Sequence, residues 1–111
     1  MEITKQEFKH CDLLTVKGRV DSATAPKLTE AIEAAQKAGH YKIVLDMSGL
    51  DYMSSAGFRA LLAGQRNSKR YNRGEMVLAL VPKNIEDALE LAGFTELFKR
   101  FDDITAAVGY F

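Results

Sequence analysis

The stretch Tyr52-Met53-Ser54-Ser55-Ala56-Gly57-Phe58 places two adjacent hydroxyls just ahead of a helical pattern. Such a hydroxyl can do one of two things. It can cap, accepting an orphan N–H of the first helical turn, which is worth about 1 kcal/mol. It can also carry a phosphate, because a helix start offers free N–H groups and the positive end of the helix dipole. Phosphorylation would add about −1.5 to −2 charges. A helix start tolerates that charge, so the fold would survive and the modification would act on a partner through repulsion and bulk. Ala56 and Gly57 carry little side chain, and on this reading they leave the hydroxyl open to a kinase. Spacing alone does not choose between capping and phosphorylation.

Other small polar residues gather in the segments "RVDSAT" and "DMSGLDYMSS", namely Asp21, Ser22, Thr24, Asp46, Ser48 and Asp51. Asp46 reads as a structural acceptor for backbone N–H groups in the following loop. Enzyme signatures are missing. There is no GxGxxG or GxxxxGK[ST], no CxxC or HExxH, and "GLDYMSSAG" is not a nucleophile elbow. His10-Cys11-Asp12 contains triad residue types, but consecutive hairpin residues point in different directions and do not converge. Cys11 reads as a small hydrophobe, and His40 as a solvated residue after the helix-ending Gly39. No set of acid, base and nucleophile converges, so the chain reads as non-enzymatic.

The elements that must position these residues follow from periodicity. "EITKQEF" is a weak strand, joined through "KHCD" to a clearer one, "LLTVKGRV", in which Leu14, Val16 and Val20 alternate with polar residues. From Thr24 the period becomes helical, with Leu28, Ile32 and Ala35 on one face, Thr24 as cap, Pro26 in the first turn and Gly39 at the end. Ile43-Val44-Leu45 reads as a strand buried on both faces, and "SGLDYM" as a loop. A second helix is expected from about Ser55 to Tyr71, with Phe58, Leu61 and Leu62 inward and Gly74 closing it. "MVLALV" is another buried strand. Pro82 opens a third helix carrying Ile85, Leu89 and Ala92, ended by Gly93. "FTELFKRF" is irregular or strand-like, and Asp102 caps a last short helix.

The order β-β-α-β-α-β-α-(β)-α implies an α/β fold: a mixed, mainly parallel sheet with an antiparallel N-terminal strand and about four helices. Sites in such sheets cluster at the carboxyl ends of the parallel strands. The loops there are "RVDSAT", "DMSGLDYMSS" and "VPK". At about 100° per residue, Arg59, Arg66 and Arg70 share one stripe of the second helix. That stripe is either a solvated face or a surface for an acidic partner.

Length and composition set the outer limits. The chain has 111 residues, 47% of them hydrophobic, which suits one domain with its own core. A formal net charge of zero argues against nucleic acid as a partner. One cysteine cannot form an internal disulfide, so a reducing compartment is expected. No apolar run approaches the roughly 20 residues of a membrane span, and the polar start "MEITKQEFKH" lacks a signal-peptide core. A cytoplasmic location is therefore expected.

Together, "GRVDSATAPKL", "IVLDMSGLDYMSSAGFRALL" and "ALELAGFTELF" resemble bacterial anti-sigma factor antagonists, the STAS domain family. The resemblance runs through nearly the whole chain and implies a single STAS domain over residues 1–111. It implies a protein that binds an anti-sigma factor which is also an ATP-dependent serine kinase, thereby freeing a sigma factor. Phosphorylation of one serine breaks that interaction and a phosphatase restores it. No cofactor is implied, since the partner holds the ATP, and the free protein is expected to be a monomer. The family motif is commonly Asp-Ser-Ser/Thr/Ala-Gly. On this chain Gly57 matches the glycine, Ala56 the variable position and Ser55 the phosphoacceptor, while Ser54 replaces the aspartate. Ser54 thus becomes an alternative acceptor, and an unphosphorylated member is also open. A STAS domain serving as a scaffold, or as an accessory subunit of a lipid-transport complex, is the alternative. The resemblance implies partner contacts at Asp21, Thr24, Met53, Ser54, Ser55, Gly57 and Arg59.

Overall fold

The computed structural model describes every residue from Met1 to Phe111. The chain opens with a hairpin, β1 (Glu2–Glu7) and β2 (Asp12–Val20), closed by the Phe8 N–H donating to the Cys11 carbonyl at 2.8 Å. There follow α1 (Ala25–Lys37), β3 (Lys42–Met53), α2 (Ser55–Lys69), β4 (Glu75–Ala79), α3 (Lys83–Leu91), the two-residue β5 (Arg100–Phe101) and α4 (Ile104–Gly109). The strands lie in sequence order, β1-β2-β3-β4-β5. Only the β1–β2 pair is antiparallel.

Period-2 alternation divides the buried residues between two faces of the sheet. Leu14, Val16, Ile43, Leu45, Met47, Met76 and Leu78 point to one face, where they meet Leu28 and Ile32 of α1, Phe58 and Leu61 of α2, and Ile85 and Leu89 of α3. Leu13, Val44, Val77 and Ala79 point to the other, where Ala107 of α4 covers them with Ile104 and Val108. The expected mixed sheet with four helices is therefore present.

Four local expectations change. "SGLDYM" is strand rather than loop, because β3 continues beside β2 to Met53. Its register shifts where Thr15 pairs with Asp46 but Lys17 with Gly49, and again where Gly18 pairs with Leu50 but Arg19 with Tyr52. β3 thus carries extra residues as bulges, which broke the alternation that would have marked it as strand. Asp46 sits at the first shift and accepts the Ser48 N–H (3.0 Å) and hydroxyl (2.8 Å) within the strand. Gly74 does not close α2. The chain leaves the helix through Tyr71 and Asn72, both at positive φ (58° and 56°), and Gly74 instead lies where a Cβ would collide with the Tyr41 carbonyl. Asp103, not Asp102, caps α4, accepting the Ala106 N–H at 2.6 Å. Leu62 is only half-buried and Ala92 is exposed, so the inward faces of α2 and α3 are narrower than their periodicity suggested.

Candidate functional site

β2 and β3 finish level with each other, Val20 opposite Met53, and the next residues of both strands form the site. The Ser54 N–H donates to the Val20 carbonyl at 2.8 Å, extending the ladder by one rung and fixing the start of α2 beside the loop that leads into α1. In that loop Asp21 Oδ1 accepts the N–H groups of Ala23 (3.0 Å) and Thr24 (3.1 Å). These bonds to Thr24, first from its backbone and then from its hydroxyl, hold the Asp21 carboxyl below its ordinary pKa, with Ala23 and the Arg19 charge adding to the effect. Thr24 occupies the N-cap position of α1, yet its hydroxyl does not cap. It accepts the Asp21 N–H (2.9 Å), and its proton is shared between the Arg19 carbonyl (3.0 Å) and Asp21 Oδ1 (3.1 Å). The hydroxyl is used to hold the loop closed. The Arg19 guanidinium lies 4.5 Å from the centre of the Tyr52 ring, across the strand pair.

The two serines differ sharply. Ser54 is the N-cap of α2 with extended backbone (φ −82°, ψ 174°), but its hydroxyl is buried and makes no hydrogen bond. Ser55 is exposed at the first position of the helix. Neither side chain caps, so the N–H groups of Ser55, Ala56 and Gly57 have no protein acceptor. The capping reading therefore fails for both residues.

Two predicted contact residues are buried. Met53 is buried in the main core, and Gly57 is buried directly against it. A Cβ on Gly57 would come within 2.5 Å of Met53 Cγ and 2.9 Å of Val20 Cγ1. Gly57 thus lets α2 sit close on the strand ends, and its smallness serves packing rather than openness. Thr24 is half-buried, with its hydroxyl committed as described. Asp21 is half-buried at the rim, and Ser22, Ser55 and Arg59 are exposed. Beside them a shallow groove of about 510 Å³ runs between α1 and α2, lined by Pro26, Thr29, Ala56, Arg59 and Ala63. Arg66 continues outward along the exposed face of α2, but the helix ends at Lys69 rather than Tyr71, and Arg70 lies beyond it with extended backbone (φ −59°, ψ 133°), so it does not complete the expected stripe.

The family model described as STAS domain matches residues 2–107. The chain belongs to the STAS domain family. Among curated relatives of this STAS domain is a Bordetella bronchiseptica protein provisionally named anti-sigma factor antagonist BtrV, 30% identical over all of this chain and 95% of its own. An anti-sigma-B factor antagonist from Listeria monocytogenes is 28% identical over 89% of this chain and 85% of its own. Among solved structures, an anti-sigma factor antagonist from Mycobacterium paratuberculosis superposes with a TM-score of 0.87 at 20% identity, covering 98% of this chain and 92% of its own. The Bacillus cell fate determinant SpoIIAA in its phosphorylated form gives 0.77 at 14% identity, covering 98% of both chains. The murine anion transporter Slc26a9 also gives 0.77 at 17% identity, covering 95% of this chain but 18% of its own. At these identities the structural likenesses speak to the fold. No helix of the STAS domain is long and apolar enough to cross a membrane.

Two polar constellations of the STAS domain were missed by periodicity. Gln65 is buried in the inward stripe of α2 and donates to the carbonyls of Met76 (3.0 Å) and Leu97 (2.7 Å) while accepting the Met76 N–H (2.7 Å). Gln36 of α1 similarly donates to the Gly64 carbonyl and the Ser68 hydroxyl, both at 2.9 Å, and accepts from Asn67 at 2.8 Å. Gln65 and Ser68 follow Phe58 and Leu61 at helical spacing, a signal that could have marked both as buried. At the opposite end of the sheet, His40 is not a free cap residue. Its Nδ1 lies 3.0 Å from Oδ2 of Asp12, which is buried at the start of β2. Cys11, next to it, is buried, and that burial together with the Asp12 charge raises the pKa of its thiol.

Proposed function

We propose that this STAS domain is a non-enzymatic anti-sigma factor antagonist, switched off by phosphorylation of Ser55. It binds an anti-sigma factor that is also a serine kinase and so releases a sigma factor. The observation that carries the reading is the contrast between the serines: Ser55 is exposed at the first turn of α2, and the Ser54 hydroxyl is enclosed. The partner holds ATP. The Ser55 hydroxyl attacks the γ-phosphorus, the bond to the β–γ bridging oxygen breaks, ADP leaves, and the hydroxyl proton passes to a base on the partner. A phosphatase hydrolyses the ester with water and restores binding. The unpaired N–H groups of Ser55, Ala56 and Gly57 receive the new charge, so phosphate is accepted without unfolding.

In this reading Asp21, Ser22, Ser55 and Arg59 form the contact surface, and Thr24, Met53, Ser54 and Gly57 support it from beneath. The protein works as a cytoplasmic monomer of one domain until its partner binds. The test uses the cognate kinase. Ser55→Ala should bind it as wild type does and take up no phosphate, whereas Ser55→Asp should lose binding. Phosphate found on Ser54, or a Ser55→Asp protein that binds undiminished, would overturn the assignment.

The likeness to a domain of an anion transporter favours one second reading, a STAS module within a membrane assembly. Purification from the source cell with a transporter in place of an anti-sigma kinase would support it.

A further inference from the structure

Glu7, Asp12 and His40 meet at the amino-terminal ends of the parallel strands, the pole of the sheet remote from Ser55. We propose that they form a binding site for a divalent cation of the zinc type. Glu7 and Asp12 are directly paired across the β1–β2 hairpin, so both carboxylates point to one face. His40 is delivered from the turn after α1. Gly39 adopts φ +87°, and the His40 N–H is anchored to the Ala35 carbonyl at 2.9 Å. The three ligands thus come from three separately fixed points of backbone.

The distances suit a metal. His40 Nδ1 lies 3.0 Å from Asp12 Oδ2 and 3.9 Å from Glu7 Oε1, and all three ligand atoms fall within 4.8 Å of one another. Ligands about 2.0–2.1 Å from a tetrahedral ion are about 3.3 Å apart, so modest side-chain rotation closes the set. Asp12 supplies the strongest argument. Its residue is 2% exposed, and its carboxylate has one side-chain partner, the His40 ring. A buried carboxylate calls for fuller compensation than one imidazole provides, and like-charged Glu7 stands opposite it. A divalent cation neutralises both carboxylates at once, and a mixed imidazole and carboxylate set suits zinc. With three protein ligands the fourth position is left to water, from an adjoining cavity of about 420 Å³.

Four cationic side chains oppose the ion and are weak. Lys9 and Lys42 line the cavity from exposed, solvent-screened positions. Lys5 lies 3.3 Å from Glu7 in an exposed pair, which costs little to displace. Arg73 lines the same cavity but is held over the Tyr41 ring at 3.9 Å and bonded to Asn67. A bound ion would tie the end of α1 to the hairpin and leave the Ser55 surface untouched.

The test is titration of the full chain, stripped with chelator, with Zn²⁺ by calorimetry and with Co²⁺ by visible absorption. One cation per chain with a tetrahedral Co²⁺ spectrum is expected, along with a thermal midpoint that rises with Zn²⁺. His40→Gln and Glu7→Gln should each weaken binding at least about tenfold, and His10→Gln should leave it unchanged. Both weakened variants alter partly exposed side chains, so folding is retained and can be checked by circular dichroism. The absence of saturable binding, or affinity that survives His40→Gln, or affinity lost in His10→Gln, overturns the proposal.

Discussion

At the scale of single residues, the Ser54 hydroxyl is the most informative atom of the serine pair. It is enclosed without a partner, and an unsatisfied buried hydroxyl costs free energy. Ser54→Ala should therefore leave stability unchanged or raise it by up to about 1 kcal/mol in urea unfolding, whereas removal of a working cap would lower it by about that amount. Asp21 makes the opposite case. Its folded carboxyl is held below its ordinary pKa by Thr24, so its charge stabilises the loop fully above the unfolded value of about 3.9. That contribution is lost as pH falls through the lower folded value. The stability difference between wild type and Asp21→Asn should accordingly be present at pH 6 and vanish in acid, as read by denaturant titrations at several pH values. Of the site, the family resemblance singled out Ser55 and Asp21, while the spacing alone marked Arg59 as outward-facing. Spacing could not separate Ser54 from Ser55, because adjacent residues share every sequence signal and differ only in where the end of β3 turns into α2.

At the scale of elements, β4 is short of neighbours. β5 pairs only with Leu78 and Ala79, and the Gln65 amide supplies the missing partner at Met76, accepting its N–H and donating to its carbonyl. Gln65→Leu would strand these buried groups, and a loss of roughly 2–4 kcal/mol is expected from chemical denaturation. Close backbone approaches give a second ordering. Gly57→Ala pushes on side chains, Met53 and Val20, and should cost about 1–3 kcal/mol. Gly74→Ala pushes on the Tyr41 backbone, which cannot yield so easily, and should lower the thermal midpoint further. Element order and type were readable because Leu14, Val16, Leu28, Ile32 and Ile85 keep clean strand or helix periods. The second half of β3 was not, since bulges opposite Lys17 and Arg19 break its alternation and Ser48-Gly49 imitates a turn. The Gln36 and Gln65 bonds were hidden because each joins segments brought together only by the finished fold.

At the scale of the whole molecule, the proposed switch predicts that charge at Ser55 changes association and not architecture. The phosphorylated protein should keep its far-ultraviolet circular dichroism and unfold within a few degrees of the unmodified one, while its binding to the kinase partner is lost. A large fall in the midpoint would mean that phosphate acts by disrupting α2. The strand order has another consequence, for assembly of the chain during synthesis. Each strand pairs with the one made immediately before it, so no segment has to wait for a distant partner. The hairpin can form first, and β3 docks on it once α1 has been made. Both loops of the Ser55 pole, and the strands that hold them in register, thus belong to the first half of the chain, and the last-made strand and helix add only to the far edge and opposite face of the sheet.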